Sequence, residues 1–510
     1  MSDDNKKLPP GGHFTNIKIG FNDDPKASQI ILPVLDGKKM TYDQGIYWLS
    51  KMKEEESRVF NWEYKFRGWF PLDAMWAVYR ALVEVYGFTH TADFKIQTFF
   101  GTLKEPPRMV TVDTSTTTKQ QIPWGPLEVS GLSVPLEPHI TLDAGLPILL
   151  LTAKIRNSEK QVVDRLMSKV EELLRTSSLY RGKAVEVDFT MFSPRDFQFD
   201  PERAPKFMDT AISSEEVIFS KDVFDLIDTN VWTLIRNTQA ALEHRIPLRR
   251  NILLDGKFGV GKTLAARLTA RICEENGWTF LYLRDLNQLK QALFFAKKYE
   301  PCVIFAEDIN RVVSGQRDAE MDALLNVMDG IDRKNDRVMT IFTTNEVETI
   351  HAAMLRPGRM DAIITVEPPD AEAAQKLIRL YGRQLVEQDE NLSEVGEMLK
   401  GQIPAVIREV VERAKLAAIR DCKVGETLKV KADHLRISAL QLLKHAARIQ
   451  PKAPPKPDIV AFGEALGSVI AKGAWLNAVH PSIAPDGHNL GTAAKQVMDK
   501  AGRSDDQASS

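Results

Sequence analysis

The stretch NILLDGKFGVGKT, residues 251–263, decides how this chain is organised. Asn251–Asp255 is a short, mostly apolar run that predicts a buried strand. The pattern G-x-x-x-x-G-K-T follows at Gly256–Thr263, and the segment Leu264–Glu275 predicts a helix directly after it. A glycine-rich turn between a strand and a helix lets backbone N–H groups surround phosphate oxygens at the positive end of the helix. The stretch therefore predicts a phosphate-binding loop.

Every residue of this loop is a candidate nucleotide ligand. Lys262 is placed to reach the β- and γ-phosphates, and the Thr263 hydroxyl is placed to bind Mg²⁺, so ATP and Mg²⁺ are the predicted cofactors. The other residues offer backbone N–H groups to phosphate oxygens. The predicted nucleotide-binding residues of the loop are Gly256, Lys257, Phe258, Gly259, Val260, Gly261, Lys262 and Thr263.

Two carboxylates follow the apolar run Cys302–Ala306, which predicts a second strand. Taken alone, an acidic pair after a strand is typical of a solvated turn. The carboxyl ends of parallel strands meet at one edge of a sheet, so this pair is expected beside the phosphate loop. There Glu307 suits a metal ligand, together with Thr263, and Asp308 suits a base that orients water.

A third apolar run, Val338–Phe342, ends in polar residues. Asn345, at that end, is placed to position the attacking water between the γ-phosphate and the base. Farther on, Arg356 and Arg359 flank a Pro-Gly turn, which predicts an exposed loop that can reach a neighbouring subunit. Without that context, two such arginines are typical of surface ion pairs.

Residues 215–445 resemble the AAA ATPase module. The resemblance rests on the phosphate loop, on PCVIFAED at 301–308, and on MTIFTTNEVETIHAAMLRPGRMD at 339–361, which is similar to the second region of homology in that family. It implies a P-loop AAA+ fold of the α/β class, in which helices cover a parallel sheet and a helical lid follows. It also implies a homo-oligomeric ring, a hexamer or heptamer, that acts on a protein client.

The same resemblance implies roles for individual residues. Asn345 matches the sensor-1 position. Arg356 and Arg359 match arginine fingers that act in trans on the nucleotide of the next subunit. Three lid residues are implied to lie near the adenine or in the sensor-2 region: Leu377, Tyr381 and Gly401.

Two departures from the common family pattern narrow the resemblance. The acidic order is Glu307 then Asp308 rather than Asp then Glu, so the shorter base predicts slower hydrolysis or a shifted water. The connection at 284–288 lacks the aromatic-hydrophobic-glycine loop with which threading members grip unfolded polypeptide. Both features, and DALLNVMDGI at 322–331, are similar to the mitochondrial Rieske-protein translocase branch, which moves a folded client. Members of that branch carry an N-terminal membrane anchor that this sequence does not show, so their client and location are not carried over.

The composition limits the number of domains and the classes of partner that this chain can have. A chain of 510 residues predicts about two to four domains. Lys and Arg total 67 against 69 Asp and Glu, a balance without the basic excess of nucleic-acid or membrane-surface proteins. The three cysteines are isolated, which favours free thiols, and the nine histidines form no metalloprotease motif. No apolar stretch approaches the ~20 residues that span a bilayer, so no membrane partner and a cytoplasmic location are predicted.

The order of patterns predicts five regions. Asn157–Thr176 reads as a helix that Ser158 caps, Lys183–Phe189 as a strand of the N-terminal region, and Pro201–Ser214 as a linker. The N-terminal region carries no chemistry that the sequence identifies, and the tail has the composition of a disordered segment. The regions are 1–95, helical and aromatic-rich; 96–205, α+β; 206–370, the large α/β ATPase subdomain; 371–447, the helical lid; and 448–510, a Pro-rich linker and tail.

The sequence thus predicts a Mg-dependent ATPase of the AAA family with a chaperone-like task. Its ring is expected to couple ATP hydrolysis to remodelling, assembly or disassembly of a protein client without threading it. Two alternatives stay open: a nucleic-acid motor or loader, and an assembly scaffold that hydrolyses ATP slowly.

Overall fold

The computed structural model describes residues 34–35, 38–39, 42–87, 90–98, 101–143, 145–189, 204–309, 337–352, 354–356, 358–423 and 426–449. The chain divides into two compact units, residues 1–436 and 437–510, and the second is described only as the helical residues 437–449. The resemblance at 322–331 and the predictions for 450–510 therefore lie outside the described residues. Among the described helices, none has the length and apolar character that crossing a membrane requires.

The N-terminal region is an α+β arrangement, as the predicted fold class has it, but its first part, 1–95, is not only helical as predicted. Strand Val59–Lys65 pairs there with residues of Leu146–Arg156. One antiparallel sheet has the strand order β10-β11-β3, and four short antiparallel pairs accompany it: β1 with β2, β4 with β9, β5 with β6, and β7 with β8. The elements are β1 (Val34–Leu35), β2 (Lys38–Lys39), α1 (Tyr42–Ser57), β3 (Val59–Lys65), α2 (Pro71–Tyr86), β4 (His90–Thr91), β5 (Phe94–Thr98), β6 (Gly101–Glu105), β7 (Arg108–Asp113), β8 (Lys119–Trp124), β9 (Leu127–Glu128), β10 (Glu137–Asp143), β11 (Leu146–Arg156) and α3 (Lys160–Thr176).

Helix α3 begins differently from the prediction. A 3-10 turn occupies Asn157–Glu159, and Ser158 is not the cap. The Glu159 carboxylate instead accepts hydrogen bonds from the backbone N–H groups of Arg156, at 2.8 Å, and Ser133, at 3.0 Å. The longer glutamate side chain can reach back over the turn and join the helix to the loop before β10, a contact that the local sequence does not reveal.

Seven strands of the described chain form the sheet of the ATPase region, in the order β13-β12-β15-β16-β17-β14-β18. All neighbours are parallel except β13, which runs antiparallel to β12. Strand β16 is buried throughout, as expected where helices cover both faces of a parallel sheet. The elements are β12 (Ala184–Val187), β13 (Lys206–Phe207), α4 (Lys221–Ile227), α5 (Thr233–Arg236), α6 (Thr238–Glu243), β14 (Asn251–Asp255), α7 (Lys262–Glu275), β15 (Thr279–Leu283), α8 (Leu289–Ala296), β16 (Cys302–Ala306), β17 (Val338–Thr344) and β18 (Ala362–Thr365).

Two sequence interpretations change at the junction of the regions. Strand β12 was assigned to the N-terminal domain, but it pairs with β15 and extends the ATPase sheet. The described part of the predicted linker 201–214 is packed: Ile212 is buried, and Thr210 Oγ1 donates a 2.6 Å hydrogen bond to Glu274 Oε2. Proline and charge in this stretch predicted a loop, whereas its contacts are with helix α7, far along the chain.

The N-terminal region and the ATPase sheet share one apolar core. The ring of Phe70, which precedes α2, stacks on Phe295 of α8 with centroids 4.5 Å apart and planes 2° from parallel. Trp69 meets Tyr299 edge-on at 5.1 Å. The N-terminal region therefore packs directly against the ATPase domain and is not a separate module on a flexible linker.

The lid is helical, as predicted. Its first helix begins at a normal N-cap, where the Asp370 carboxylate accepts a 2.7 Å hydrogen bond from the N–H of Ala373. This helix packs against the next two. The α/β AAA+ fold class, with an α+β region before it, is confirmed. The lid helices are α9 (Ala371–Gly382), α10 (Ser393–Leu399), α11 (Pro404–Asp421) and α12 (Ala432–Ile449), the last of which crosses into the second unit.

Candidate functional site

The phosphate loop connects β14 to α7, and glycine is required where the backbone packs tightly. A Cβ on Gly256 would lie 2.5 Å from the carbonyl oxygen of Val366. Gly261 has φ 112°, in the left-handed region, and a Cβ there would lie 3.0 Å from the ring of Phe219. The loop is thus held between the end of β18 and the segment that precedes α4. Phe258, in contrast, is 72% exposed.

Lys262 is the centre of the polar cluster. Its ammonium group has three N–H donors, and it donates to the carbonyl of Gly256, to the carbonyl of Lys257 at 3.1 Å, and to Asn345 Oδ1 at 2.7 Å. Burial lowers the pKa of Lys262 below its ordinary value, although nearby carboxylates, Asp308 among them, oppose the shift. Protein oxygens therefore occupy all the donors that phosphate oxygens would use.

Thr263 and Glu307 meet at the same edge of the sheet. Thr263 Oγ1 donates a 2.7 Å hydrogen bond to Glu307 Oε1. A hydroxyl and a carboxylate are hard oxygen ligands, which suit Mg²⁺ when phosphates and waters complete its coordination. Across the described residues, no three His, Cys, Asp or Glu side chains are grouped to hold a metal ion by themselves. The oxygen pair thus fits Mg²⁺ that arrives with a nucleotide.

Asn345 joins Lys262 to Asp308. Its Nδ2 donates a 3.0 Å hydrogen bond to Asp308 Oδ1, while its Oδ1 accepts the bond from Lys262. Asp308 has φ 52°, a left-handed conformation that is uncommon for a residue with a Cβ. The structure therefore brings the predicted phosphate lysine, sensor residue and base into one hydrogen-bonded chain.

Two further residues contact Glu307 or Asp308 and were not among the predicted site residues. Tyr282 of β15 hydrogen-bonds to Glu307, and burial together with that carboxylate raises the pKa of the tyrosine. Its ring stacks on Phe305 with centroids 6.1 Å apart. Thr343 of β17 accepts a 3.1 Å hydrogen bond from the N–H of Asp308. Tyr282 lies within a predicted strand, and Thr343 directly follows the apolar run Val338–Phe342, and neither position carries a motif that identifies a site residue.

The two candidate finger arginines lie on a loop anchored at the start of β14. Arg356 is exposed and Arg359 is half-buried. Asn251 Nδ2 donates a 2.8 Å hydrogen bond to the carbonyl of Arg359, and the N–H of Asn251 donates to the Asp361 carboxylate at 2.8 Å. The phosphate loop leaves the opposite end of that strand, so the arginine backbone is anchored about 13 Å of strand away from it, at ~3.3 Å per residue.

The lid residues are placed in different surroundings. Leu377 is buried, and Gly401 is exposed with φ 77°. Tyr381 is half-buried beneath the Arg408 guanidinium, which lies 5.3 Å from the ring centroid. The lid residue that the structure brings to the phosphate loop is Ile403, whose Cδ1 would lie 3.3 Å from a Cβ on Gly259. The sequence did not single out Ile403, because one aliphatic residue before a helix carries no motif.

Comparison with known proteins matches the domain that carries this site. Residues 252–368 match the family described as "ATPase family associated with various cellular activities (AAA)". The chain is 26% identical over 286 residues to the ATP-dependent zinc metalloprotease FtsH of Syntrophotalea carbinolica, an alignment that covers 52% of this chain and 44% of that protein. It is 28% identical over 233 residues to the proteasome-activating nucleotidase of Methanocaldococcus jannaschii, covering 41% of this chain and 52% of that one.

A third relative is the 26S proteasome regulatory subunit 8 homolog of Schizosaccharomyces pombe, 29% identical over 202 residues, with 36% of this chain and 50% of that protein covered. The chain spans about half the length of these relatives. The matched segment contains the phosphate loop, the acidic strand end and the arginine loop, arranged on a parallel sheet with the site at its carboxyl edge. Residues 252–368 therefore form a domain of the AAA ATPase family.

Proposed function

We propose that this protein is a Mg-dependent ATPase that acts as a homo-oligomeric ring and remodels a protein client. The observation that carries the proposal is the chain of hydrogen bonds from Lys262 through Asn345 to Asp308, with Thr263 and Glu307 beside it. The relatives support the client class, since their names describe an ATP-dependent protease and regulators of the proteasome.

Binding of ATP exchanges the partners of Lys262. The ammonium leaves the carbonyls of Gly256 and Lys257 and donates to β- and γ-phosphate oxygens, while loop N–H groups bind the rest of the triphosphate. Mg²⁺ neutralises phosphate charge when bound, and Thr263 with Glu307 would hold it. Burial lowers the pKa of Lys262, and phosphate charge in place of neutral carbonyls would favour its charged form.

Hydrolysis requires a water in line with the γ-phosphorus. Asp308 orients this water and accepts its proton as the bond to phosphorus forms and the bond to the β,γ-bridging oxygen breaks, leaving ADP and phosphate. Asn345 contacts both Lys262 and Asp308, so its amide can report the presence of the γ-phosphate to the base. Asp308 is one methylene shorter than glutamate and is already tied to Asn345, which favours a slow basal rate.

The arginines act on the next subunit. Their loop is fixed to the start of β14, away from the phosphate loop of the same chain, and Arg356 is exposed. A guanidinium supplied in trans offsets charge in the transition state and is worth ~10³–10⁵ in rate. An isolated subunit is therefore expected to be nearly inactive, and ring assembly completes the site.

Mixing of variants tests this proposal. Lys262→Ala is expected to lose nucleotide binding but keeps both arginines. Arg359→Ala keeps the nucleotide pocket but lacks one of the two arginines. We expect both to be inactive alone and the mixture to regain part of the turnover. A mixture of Lys262→Ala with Asp308→Asn is the matched control, because both defects lie in the pocket and no interface is intact. Equal turnover in the two mixtures, or wild-type turnover by monomers, refutes action in trans.

We further infer that the ring does not thread unfolded polypeptide. Only two residues separate β15 from the 3-10 turn Leu286–Gln288 that leads into α8. Two contacts fix that connection to neighbouring segments. Arg284 pairs with Glu186 at 2.5 Å, and Gln288 Oε1 accepts a 2.6 Å hydrogen bond from the N–H of Phe189. The nearby Phe295 is buried. Because the connection is short and fixed by these contacts, it cannot extend into a central pore to bind an unfolded polypeptide.

A stably folded fluorescent protein with an unstructured tail tests the absence of threading. Preserved fluorescence, with ATP-dependent binding and release of the protein, is the expected result. Loss of fluorescence beyond that caused by an Asp308→Asn ring contradicts it.

A further inference from the structure

The backbone at Asp308 is bent into a conformation that needs support. Its φ of 52° is left-handed, and Ile309, the next residue, is fully buried. The chain must therefore turn sharply at the end of β16 and re-enter the core at once. A residue with a Cβ holds this conformation only when its surroundings impose it.

Thr343 supplies that support from the neighbouring strand. Its side-chain Oγ1 accepts the N–H of Asp308 at 3.1 Å, and its backbone carbonyl accepts the N–H of Ile309 at 2.8 Å. Thr343 is 2% exposed, so neither bond competes with bulk water. One residue therefore binds two consecutive N–H groups of the turn, through its side chain and through its backbone.

We propose that Thr343 is a positioning residue for ATP hydrolysis, which sets the direction of the Asp308 carboxylate. Asn345 holds the Oδ1 end of that carboxylate at 3.0 Å, but it does not fix the backbone from which the side chain departs. Thr343 fixes that backbone, so the two residues define both ends of the short side chain. The proposal rests on the assignment of Asp308 as the base.

A short base makes this support matter more. An aspartate has one side-chain torsion fewer than a glutamate, so it has less freedom to restore the position of its carboxylate when the backbone rotates. Misplacement by about 1 Å can cost ~10²-fold in rate. The Thr343 hydroxyl is therefore expected to influence turnover and to leave nucleotide affinity unchanged.

Substitution of the hydroxyl tests the proposal on the full-length protein. Thr343→Val keeps the shape and removes the acceptor, and we expect kcat to fall on the order of 10- to 100-fold while the Kd for a fluorescent nucleotide stays the same. Thr343→Ser, which restores the hydroxyl, is expected to recover most of kcat. Thr343→Ala, measured beside it, removes the hydroxyl without added volume if the valine variant fails to fold. Thr340→Val is the matched control, since Thr340 is a buried threonine of the same strand, and its kcat is expected to be unchanged.

A double-mutant cycle separates positioning from general support of the fold. If Thr343 acts through Asp308, Thr343→Val should have little further effect on the residual turnover of Asp308→Asn. Additive losses, an unchanged kcat in Thr343→Val, or an equal loss in Thr340→Val would each overturn the proposal. If Asp308→Asn itself retains full turnover, the assignment of the base fails instead, so the two failures are distinguishable.

Discussion

Two polar clusters contain carboxylates that are hydrogen-bonded within the protein, one at the carboxyl edge of the ATPase sheet and one between α2 and the residues before β16. At the carboxyl edge, Asp308 and Glu307 are half-buried and bonded to Asn345 and Thr263. Near the start of β16, Asp73 of α2 is completely buried. Both clusters have their hydrogen bonds made by the protein itself, so a full set of bonds does not distinguish a ligand site from a structural one.

The hydrogen-bond donors around Asp73 lie inside the protein, where no ligand can replace them. We call this group the closed cluster. Its carboxylate accepts bonds from Ser178 Oγ at 2.5 Å, from the N–H of Leu179 at 2.8 Å and from the Tyr299 hydroxyl at 2.9 Å. Tyr299 in turn accepts the N–H of Phe70 at 3.0 Å. These groups tie α2 to the segment after α3 and to the residues before β16. The nucleotide cluster instead contains a cation, Lys262, and side chains with access to solvent, so a phosphate can take over its bonds.

The largest expected effect is on the nucleotide cluster around Lys262, which we call the open cluster. Lys262→Ala removes the cation that faces the β- and γ-phosphates, and we expect ATP binding to be lost while the thermal midpoint changes little. Calorimetry with ATP and a thermal melt measure the two quantities. Lys257→Ala is the control, because the Lys257 side chain is exposed on the same loop and only its carbonyl contacts the cluster. Unchanged ATP affinity in Lys262→Ala would show that the loop is not the phosphate site.

The second effect separates binding from hydrolysis. Asp308→Asn keeps the shape and the bond to Asn345 but removes the base, so we expect ATP to bind and turnover to fall by ~10²–10⁴-fold. Nucleotide affinity and phosphate release measure this on the same preparation. Glu307→Gln is the companion variant and should instead weaken the Mg²⁺ dependence of binding. The reverse pattern would mean that the roles of the two carboxylates are exchanged.

The sequence predicted the open cluster better than the closed one, for a physical reason. Asp308 and Asn345 closely follow apolar runs, and Lys262 ends the loop that follows a third, and parallel strands bring the segments after such runs together whatever the details of packing. The contacts of Thr343 and Tyr282 depend on strand register and on the direction in which each side chain points from its strand. The residues of the two strands do not specify either.

The closed cluster could not be predicted at all. Asp73 and Tyr299 are separated by 226 positions, and an aspartate in the first turn of a helix is usually explained by the helix dipole. The same limit hid the place of β12, whose partner β15 begins almost a hundred residues later. Long-range pairing between the N-terminal region and the ATPase sheet leaves no periodic signal, so the predicted boundary at 205 fell after a strand of that sheet.

The third effect concerns stability rather than turnover. Asp73→Ala leaves the Leu179 N–H and two hydroxyls buried without their acceptor, so we expect a loss of about 2–5 kcal/mol. Asp73→Asn is the matched variant, since its side-chain oxygen can still accept bonds, and it should lose much less. Thermal midpoints measure both, and ATP turnover below the midpoint should stay near wild type. Equal losses in the two variants would show that packing, not hydrogen bonding, is responsible.

The smallest effect is a pH dependence that belongs to the closed cluster alone. Burial raises the pKa of Asp73 to about 6 from an ordinary 3.8, although its hydrogen bonds oppose the shift. Because the folded pKa is the higher one, the stability gained by protonation is complete below pH 3.8 and is lost as pH rises through about 6. The gap corresponds to at most about 3 kcal/mol. We therefore expect the difference in thermal midpoint between wild type and Asp73→Asn to move in favour of wild type as pH falls from 7 to 5.

The surface variant Glu372→Gln controls for general acid effects. Lys376 lowers the pKa of the Glu372 carboxyl, so the stabilising contribution of Glu372 is present above its ordinary pKa of 4.5 and is lost only at more acid pH. Between pH 7 and 5 its difference from wild type should stay nearly flat. If Asp73→Asn is equally flat over that range, the Asp73 carboxyl is already neutral at pH 7 or still ionised at pH 5. Either result would remove the distinction between the open cluster, whose hydrogen-bond partners a ligand can replace, and the closed cluster around Asp73, whose partners stay fixed.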